Sequence, residues 1–315
     1  MTAMLARKPK VAVLGPKGTF SDEAAQSKWG DDAEYLYQNQ LTGIFEKVET
    51  GEVDYGIVPT EDSEEGDVQE SLTLMREYPL YVIDELKHDV EHCLLSKGKI
   101  EQIKTIGSHY QVLRHCRKYL YTYFPDVKQD RTESTVAAIE KALEDPTYAA
   151  IASEENAERY NLNILKKEIH DKGRNTTRFL VLSPVEKAVP LNILSKTSLL
   201  INTNKDTSGV LVKILNIFAK KNINLSRLAP RPQGGSLGKY LFFLDIEGNK
   251  KDPKVQAAIK ETKSLDFVSS VRDFGTYPRL RSKPEEEIKL SPDERLKSTF
   301  SFWNNEEDRA YDSLY

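Results

Sequence analysis

From residue 10 onward the chain alternates short apolar runs with stretches of helical periodicity. KVAVL (10–14) reads as a strand, and GPKGTFSDEAA (15–25) as a glycine turn into a helix, with Thr19 and Asp22 at capping-box spacing. A helix carrying Ile44, Phe45 and Val48 follows, then the strand YGIV (55–58). Pro59 lacks an N–H, so the pattern predicts that the strand stops there. TEDSEEGD (60–67) then turns into a helix carrying Val68, Leu72 and Met75. LYVIDEL (80–86) and VEHCLL (90–95) read as two more strands. KTIG (104–107) meets Ser108, which with Gln111 repeats the capping box and predicts a helix to Phe124. TESTVAAIEKAL (132–143) opens another capped helix, and YAAIAS (148–153) is a strand running into a helix. Such alternation argues for an α/β architecture with mainly parallel sheets, in which ligands collect where strand ends meet helix starts.

RNTTRFLVL (174–182) sets two threonines and an arginine against a buried strand. An arginine fork and threonine hydroxyls suit a carboxylate. Three polar turns, GPKGTFS, PTEDSEEG and GSHYQ, share the strand-to-helix geometry, and with TTRF they point to one shared anion site. PVEKAVPLNILSK (184–196) reads as a linker. Beyond it TSLLINT, a helix with Leu211, Ile214, Leu215 and Phe218, INLSRLAP, the turn GGSLG, KYLFFLDIEG, a helix started by Asp252-Pro253, and LDFVSSVRDFG follow. That order is β-α-β-β-α-β, a ferredoxin-like unit. The end, 281–315, is charged and carries two aromatic clusters, and reads as a disordered or docked tail.

Composition narrows the function more by exclusion than by suggestion. With 39% hydrophobic and 30% charged residues in 315, the chain suits two globular domains. A net charge of -4 and no basic block give no reason to expect a nucleic-acid partner, and no apolar run is long enough to span a membrane. The start lacks the apolar core of a signal peptide. Cys93 and Cys116 have no metal-ligand spacing and read as reduced, buried thiols in a cytoplasmic protein. The five histidines form no HExxH motif, and the glycine loop is neither GxGxxG nor a Walker loop.

The motifs together resemble the prephenate dehydratase family. GPKGTFSDEAA, DYGIVPTEDSEEGDV, HCLL, GSHYQVLRHCRKYL, ESTVAAI and NTTRFLVL come in that family's order and spacing. SGVLVKILNIFAKKNINLSRLAPRP is similar to the ACT regulatory domain that follows in the family. The resemblance implies a catalytic domain over 9–183 built like a periplasmic binding protein, with lobe one at 9–86 and 168–183 and lobe two at 87–167. A linker (184–196), an ACT domain (197–280) and the tail (281–315) complete it. It further implies conversion of prephenate to phenylpyruvate, CO2 and water, without metal or other cofactor. L-phenylalanine would be the feedback effector, and ACT pairing would give a homodimer or homotetramer. A sister enzyme acting on arogenate or decarboxylating prephenate, and a non-catalytic sensor of an aromatic metabolite, are the alternative readings.

On the family pattern Thr177 is the hydroxyl beside the leaving group, Arg178 the carboxylate fork and Phe179 the packing beneath. Asp62, Ser108 and His115 complete the catalytic group. Substrate contacts would come from Gly18, Thr19, Glu61, Ser63 and Gly66, and from Gln111, Glu133, Asn175 and Thr176. Effector contacts would come from Ser208, Gly209, Val210 and Leu211, and from Leu228, Ala229 and Arg231. The chain departs from the pattern in four places. VPTEDS replaces VPIENS, putting Thr60 and Asp62 in place of an apolar residue and an asparagine; His115 replaces a glutamine; Tyr110 replaces a proline; and APRP replaces ESRP, putting Ala229 and Pro230 in place of Glu and Ser. An aspartate repels a dianion, so Asp62 and His115 are expected to have changed together and to hydrogen-bond across the cleft.

Overall fold

The computed structural model describes residues 7–171, 175–204, 207–233 and 240–280. Its first lobe runs β1 (Lys10–Leu14), α1 (Phe20–Trp29), β2 (Glu34–Gln38), α2 (Leu41–Glu49), β3 (Tyr55–Asp62), β4 (Gly66–Asp67), α3 (Gln69–Glu77) and β5 (Tyr81–Val90). The second runs β6 (Cys93–Ser96), β7 (Thr105–His109), α4 (Tyr110–His115), α5 (Arg117–Tyr123), β8 (Lys128–Thr132), α6 (Thr135–Glu144), β9 (Tyr148–Ala152), α7 (Glu154–Tyr160) and β10 (Asn163–Lys166). The chain then returns as β11 (Asn175–Ser183), which inserts antiparallel between β3 and β5. The sheets have the orders β2-β1-β3-β11-β5, with β4 beside β3, and β10-β6-β9-β7-β8.

The C-terminal part is β12 (Ser195–Thr203), α8 (Val210–Lys220), β13 (Leu225–Pro232), β14 (Tyr240–Glu247), α9 (Pro253–Lys263) and β15 (Val268–Pro278), in the sheet order β13-β14-β12-β15. This is the expected βαββαβ order. Strand alternation gives the sheet two apolar faces. Leu199, Ile201, Phe242, Leu244 and Ile246 face α8 and α9. Leu200, Leu241, Phe243, Phe274 and Tyr277 instead share a core with Leu72, Leu80, Leu180 and Leu182 of the first lobe. The ACT sheet is thus packed on the catalytic part through a common hydrophobic layer.

Helix starts follow the capping chemistry in three places. Thr19 Oγ1 accepts from the Asp22 N–H, Ser134 Oγ from the Ala137 N–H at 3.0 Å, and Asp252 from the Lys254 N–H with Pro253 at the first turn. Elsewhere long-range pairing overrode the local signal. β3 continues past Pro59 to Asp62, because a bulge opposite Arg178 and Phe179 absorbs the missing N–H and leaves Thr60 buried, its hydroxyl donating to the Arg178 carbonyl at 3.2 Å. β5 runs to Val90 rather than ending near Leu86, since β11 pairs with it as far as Asn175. Ser108 does not cap a helix: it lies inside β7, buried, with its hydroxyl donating to the Ile151 carbonyl at 2.7 Å. The helix expected from Ser108 to Phe124 starts at Tyr110 and breaks at Cys116. The turn GGSLG and the tail 281–315 lie outside the described residues.

Candidate active site

Between the two lobes lies a cleft of about 790 Å³, and its wall is built where sheet ends meet helix starts. The first residues of α1 (Thr19 to Ser21), α3 (Val68 to Glu70) and α6 (Ser134, Thr135) all line it. Three helix N-termini from two lobes therefore turn the positive ends of their dipoles to one space. Among the described residues Arg114 is the one lysine or arginine on this wall, alongside Asp62, Glu65, Asp67, Glu70 and Glu133. The positive character of this wall thus comes from backbone dipoles more than from side-chain cations.

At the floor Thr177 Oγ1 donates to Asp62 Oδ2 at 2.8 Å, and Phe179 packs on the same face. Asp62 Oδ1 accepts from the backbone N–H groups of Glu64 and Glu65 at 3.0 and 3.1 Å, closing the β3–β4 turn on itself. That turn delivers Glu65, whose Oε1 lies 2.9 Å from His115 Nε2. His115 Nδ1 faces His92 Nε2 and Asn175 Nδ2, each at 3.4 Å, so Nε2 of His115 carries the proton toward Glu65 and Nδ1 accepts. The Arg114 guanidinium sits 3.2 Å from the same Glu65 oxygen, and Gln111 Nε2 donates to Glu65 Oε2 at 3.4 Å. The direct Asp62–His115 pair expected from sequence is not formed. Asp62 is taken by Thr177 and its own turn, and the partner of His115 is Glu65.

Burial, with lesser contributions from His115 and His170, pushes the His92 pKa down from its ordinary 6.5 to about 3. The ring is thus held neutral, with Nδ1 lacking a hydrogen-bond partner among the described residues. The unfolded chain takes up the proton that the folded ring refuses, so stability is lost as pH falls from 6.5 toward 3. At pH 5 the loss is about 2 kcal/mol. Urea melts of His92→Gln at pH 7 and pH 5 should show that component gone; an unchanged acid dependence would assign it to other groups.

Arg178 is the principal correction. The residue is 7% exposed and its side chain points away from the cleft, because residues 177 and 178 project to opposite faces of β11. Its Nε donates to Glu85 Oε2 at 2.8 Å, Nη1 to Asp245 Oδ2 at 2.6 Å and Nη2 to the Tyr277 hydroxyl at 3.0 Å. Burial works against this charge, but Asp245, Tyr277 and Glu85 outweigh it and raise the pKa further. Asp245 is fully engaged in return: burial opposes its ionisation, yet Arg178, Arg227 and the Ser198 hydroxyl hold its pKa below the usual carboxylate range. The fork expected to bind substrate is spent on an interdomain ion pair.

Of the other expected site residues, Thr19, Gly66, Gln111, Glu133 and Asn175 line the cleft. Gly18 does not. It takes φ +96°, its N–H donates to Asp22 Oδ2, and its carbonyl accepts from Asn156 Nδ2 of lobe two at 2.9 Å; a Cβ there would be strained and would lie 2.9 Å from Asn156 Oδ1. Glu61 lies on the other side of β3, 3.8 Å from Arg178 and 3.6 Å from Arg227. Ser63 Oγ donates to Asn175 Oδ1 at 3.0 Å and so supports a lining residue from behind, while the Thr176 hydroxyl donates to Asp89. Ser108 is inside β7, as described above.

In the ACT part Gly209, Val210 and Leu211 line a pocket of about 180 Å³ with Thr203, Tyr240 and Phe242, whereas Ser208 does not line it. Leu228 lies on a separate groove with Leu215 and Ala219. Ala229 is buried in the layer shared with lobe one, and Arg231 pairs with Asp67 at 2.6 Å, so neither faces that pocket. Glu65, Asp67 and Asp245 were not anticipated. The charge of Asp245 inside the apolar run LFFLDIE was a signal that could have found it.

No helix among the described residues is long and apolar enough to cross a membrane, and no group of side chains among them could hold a metal ion. Residues 11–187 match the prephenate dehydratase family and 197–263 the ACT domain. A bifunctional chorismate mutase/prephenate dehydratase of Aquifex aeolicus is 38% identical over 276 residues, covering 87% of this chain and 75% of that protein. The prephenate dehydratase of Methanocaldococcus jannaschii is 36% identical over 272 residues, covering 84% of this chain and 96% of that one. The crystal structure of prephenate dehydratase from Arthrobacter aurescens in complex with L-Phe is 28% identical, with a TM-score of 0.79 over 93% of this chain and 97% of its own. The family match spans more than half of the chain, and both curated relatives are over 35% identical along most of their length; the chain belongs to the prephenate dehydratase family, its catalytic part followed by an ACT domain.

Proposed function

We propose that the cleft binds prephenate with its carboxylates at the converging helix N-termini and its ring hydroxyl over Thr177, and converts it to phenylpyruvate, CO2 and water. The observation that carries this reading is the Thr177–Asp62 hydrogen bond at the floor, beneath the starts of α1, α3 and α6. In the reaction the C1–carboxylate bond breaks to release CO2, its electron pair enters the ring, and the C4–O bond breaks. The departing hydroxide takes up one proton and leaves as water, so the enzyme must supply that proton.

A threonine hydroxyl is too weak an acid to give up its proton alone, but it can pass one along. With Asp62 ionised, the Thr177 hydroxyl points at the carboxylate. With Asp62 protonated the bond reverses: the carboxyl donates to Thr177 Oγ1, and the threonine proton turns to the leaving oxygen. Asp62 ends as carboxylate and Thr177 is restored. Asp62 regains its proton from solvent before the next turnover.

Asp62→Asn tests the relay. An amide N–H still donates to Thr177 but has no proton to give up, so kcat should fall by about 10² or more. A kcat near that of the parent would remove Asp62 from the relay. The activity itself is tested by incubation with prephenate: phenylpyruvate absorbance supports the reading, a non-aromatic product favours a decarboxylase, and binding without turnover a sensor. L-Phenylalanine is the proposed effector, bound at the pocket of Gly209, which takes φ +86° at the start of α8. Cytoplasmic location and pairing of ACT units into a dimer or tetramer belong to the same reading.

A further inference from the structure

We propose that Asp245 of the ACT sheet is a positioning residue for the dehydratase reaction, acting through Arg178 on Thr177, and that the same contact carries the effector signal. This rests on the reading of the cleft given above. On β14 the residues alternate: Phe242 and Leu244 face the ACT helices, while Leu241, Phe243 and Asp245 face lobe one. A carboxylate on that inner, apolar face has no reason to be there except its partner. It finds Arg178 at 2.6 Å and the Ser198 hydroxyl at 2.5 Å, and the Tyr277 hydroxyl joins Ser198 at 2.8 Å and Arg178 at 3.0 Å. Lys196 of β12 meets Glu85 at 2.8 Å on the far side of the same guanidinium.

Arg178 and Thr177 are adjacent on one strand with opposite faces, so anchoring the first orients the second. The anchor matters here because the β3–β11 ladder is irregular between Arg178 and Phe179. Side-chain bonds from the ACT sheet hold the strand where its pairing with β3 shifts register, its pairing with β5 being regular there. A second bridge repeats the arrangement: Arg227 and Arg231 of β13 clamp Asp67, which precedes α3 and lines the cleft. The effector end is on the same strand as Asp245. Tyr240 and Phe242 of β14 line the pocket that Gly209, Val210 and Leu211 open. A ligand that shifts β14 therefore acts on the ion pair behind Thr177 without a separate relay.

The test is steady-state kinetics of the full chain with prephenate, with and without L-phenylalanine, well below the unfolding midpoint. For Asp245→Asn, kcat should fall about tenfold, KM should move less than about threefold, and half-inhibition by phenylalanine should shift about tenfold, within the usual range of allosteric coupling. If Asp245→Asn does not fold, Ser198→Ala keeps both charges and removes one restraint on Asp245; it should lower kcat and the phenylalanine response about threefold each. A folded Asp245→Asn, or failing that Ser198→Ala, with parental kcat and parental inhibition overturns the proposal. Loss confined to thermal stability overturns it as well. A parent chain that does not turn prephenate over overturns the functional reading itself, and that result is distinct from the others.

Discussion

Replacing Thr177 by valine should lower kcat by about 10²–10⁴ while leaving KM nearly unchanged. The range is that of a positioned acid–base group, and the shape of the side chain is retained, so packing against Phe179 survives. The interaction at risk is made to the departing oxygen, where charge develops only as the C–O bond breaks; substrate affinity should therefore not report its loss. The substitution also leaves Asp62 facing a methyl group in place of a hydroxyl donor, but two backbone N–H groups still hold its other oxygen. Phenylpyruvate formation by the purified variant is the measurement. A kcat near that of the parent would take Thr177 out of the chemistry and leave the helix N-termini and Glu65 to carry it.

Arg178→Ala should destabilise the chain by about 3–5 kcal/mol, because it strands Asp245 on an apolar layer and removes a partner of Glu85. The sequence alone points to a substrate fork, which predicts instead a sharp rise in KM for Arg178→Lys. The geometry separates the two outcomes. The guanidinium is behind the strand, so denaturant midpoints should move strongly while KM at low temperature moves little. Arg178→Lys should retain part of the stability, since one ammonium can reach one carboxylate but cannot serve Glu85, Asp245 and Tyr277 in their present directions. A large KM effect with an unchanged midpoint would restore Arg178 to the substrate.

The inward turn of Arg178 is itself legible in the sequence. TTRFLVL has the pattern of a strand, and in a strand Thr177 and Arg178 cannot both face a cleft. The lone acid in LFFLDIE was the complementary signal, a charge that needed a buried cation. Ser108 failed for a different reason. Its spacing to Gln111 fits a capping box, but pairing with β8 carries β7 through Ser108 to His109, and a ladder outweighs one cap. Asp62 and His115 were placed in the right cleft with the wrong partners, because the β3–β4 turn brought Glu65 to the imidazole first.

Much was legible in the chain as written: the family, the alternation of strands and helices, the βαββαβ order after the linker, the caps at Thr19, Ser134 and Asp252, and the presence of Thr177 in the cleft. These follow from periodicity and from chemistry within a few residues, which the chain encodes locally. The partners of the polar side chains were not legible. Arg178 and Asp245 are 67 residues apart, Thr177 and Asp62 115, and Glu65 and His115 50. A charge in a sequence declares only that it needs a counterpart; which one it meets depends on how three sheets stack, and stacking is set by apolar faces that do not specify their polar neighbours.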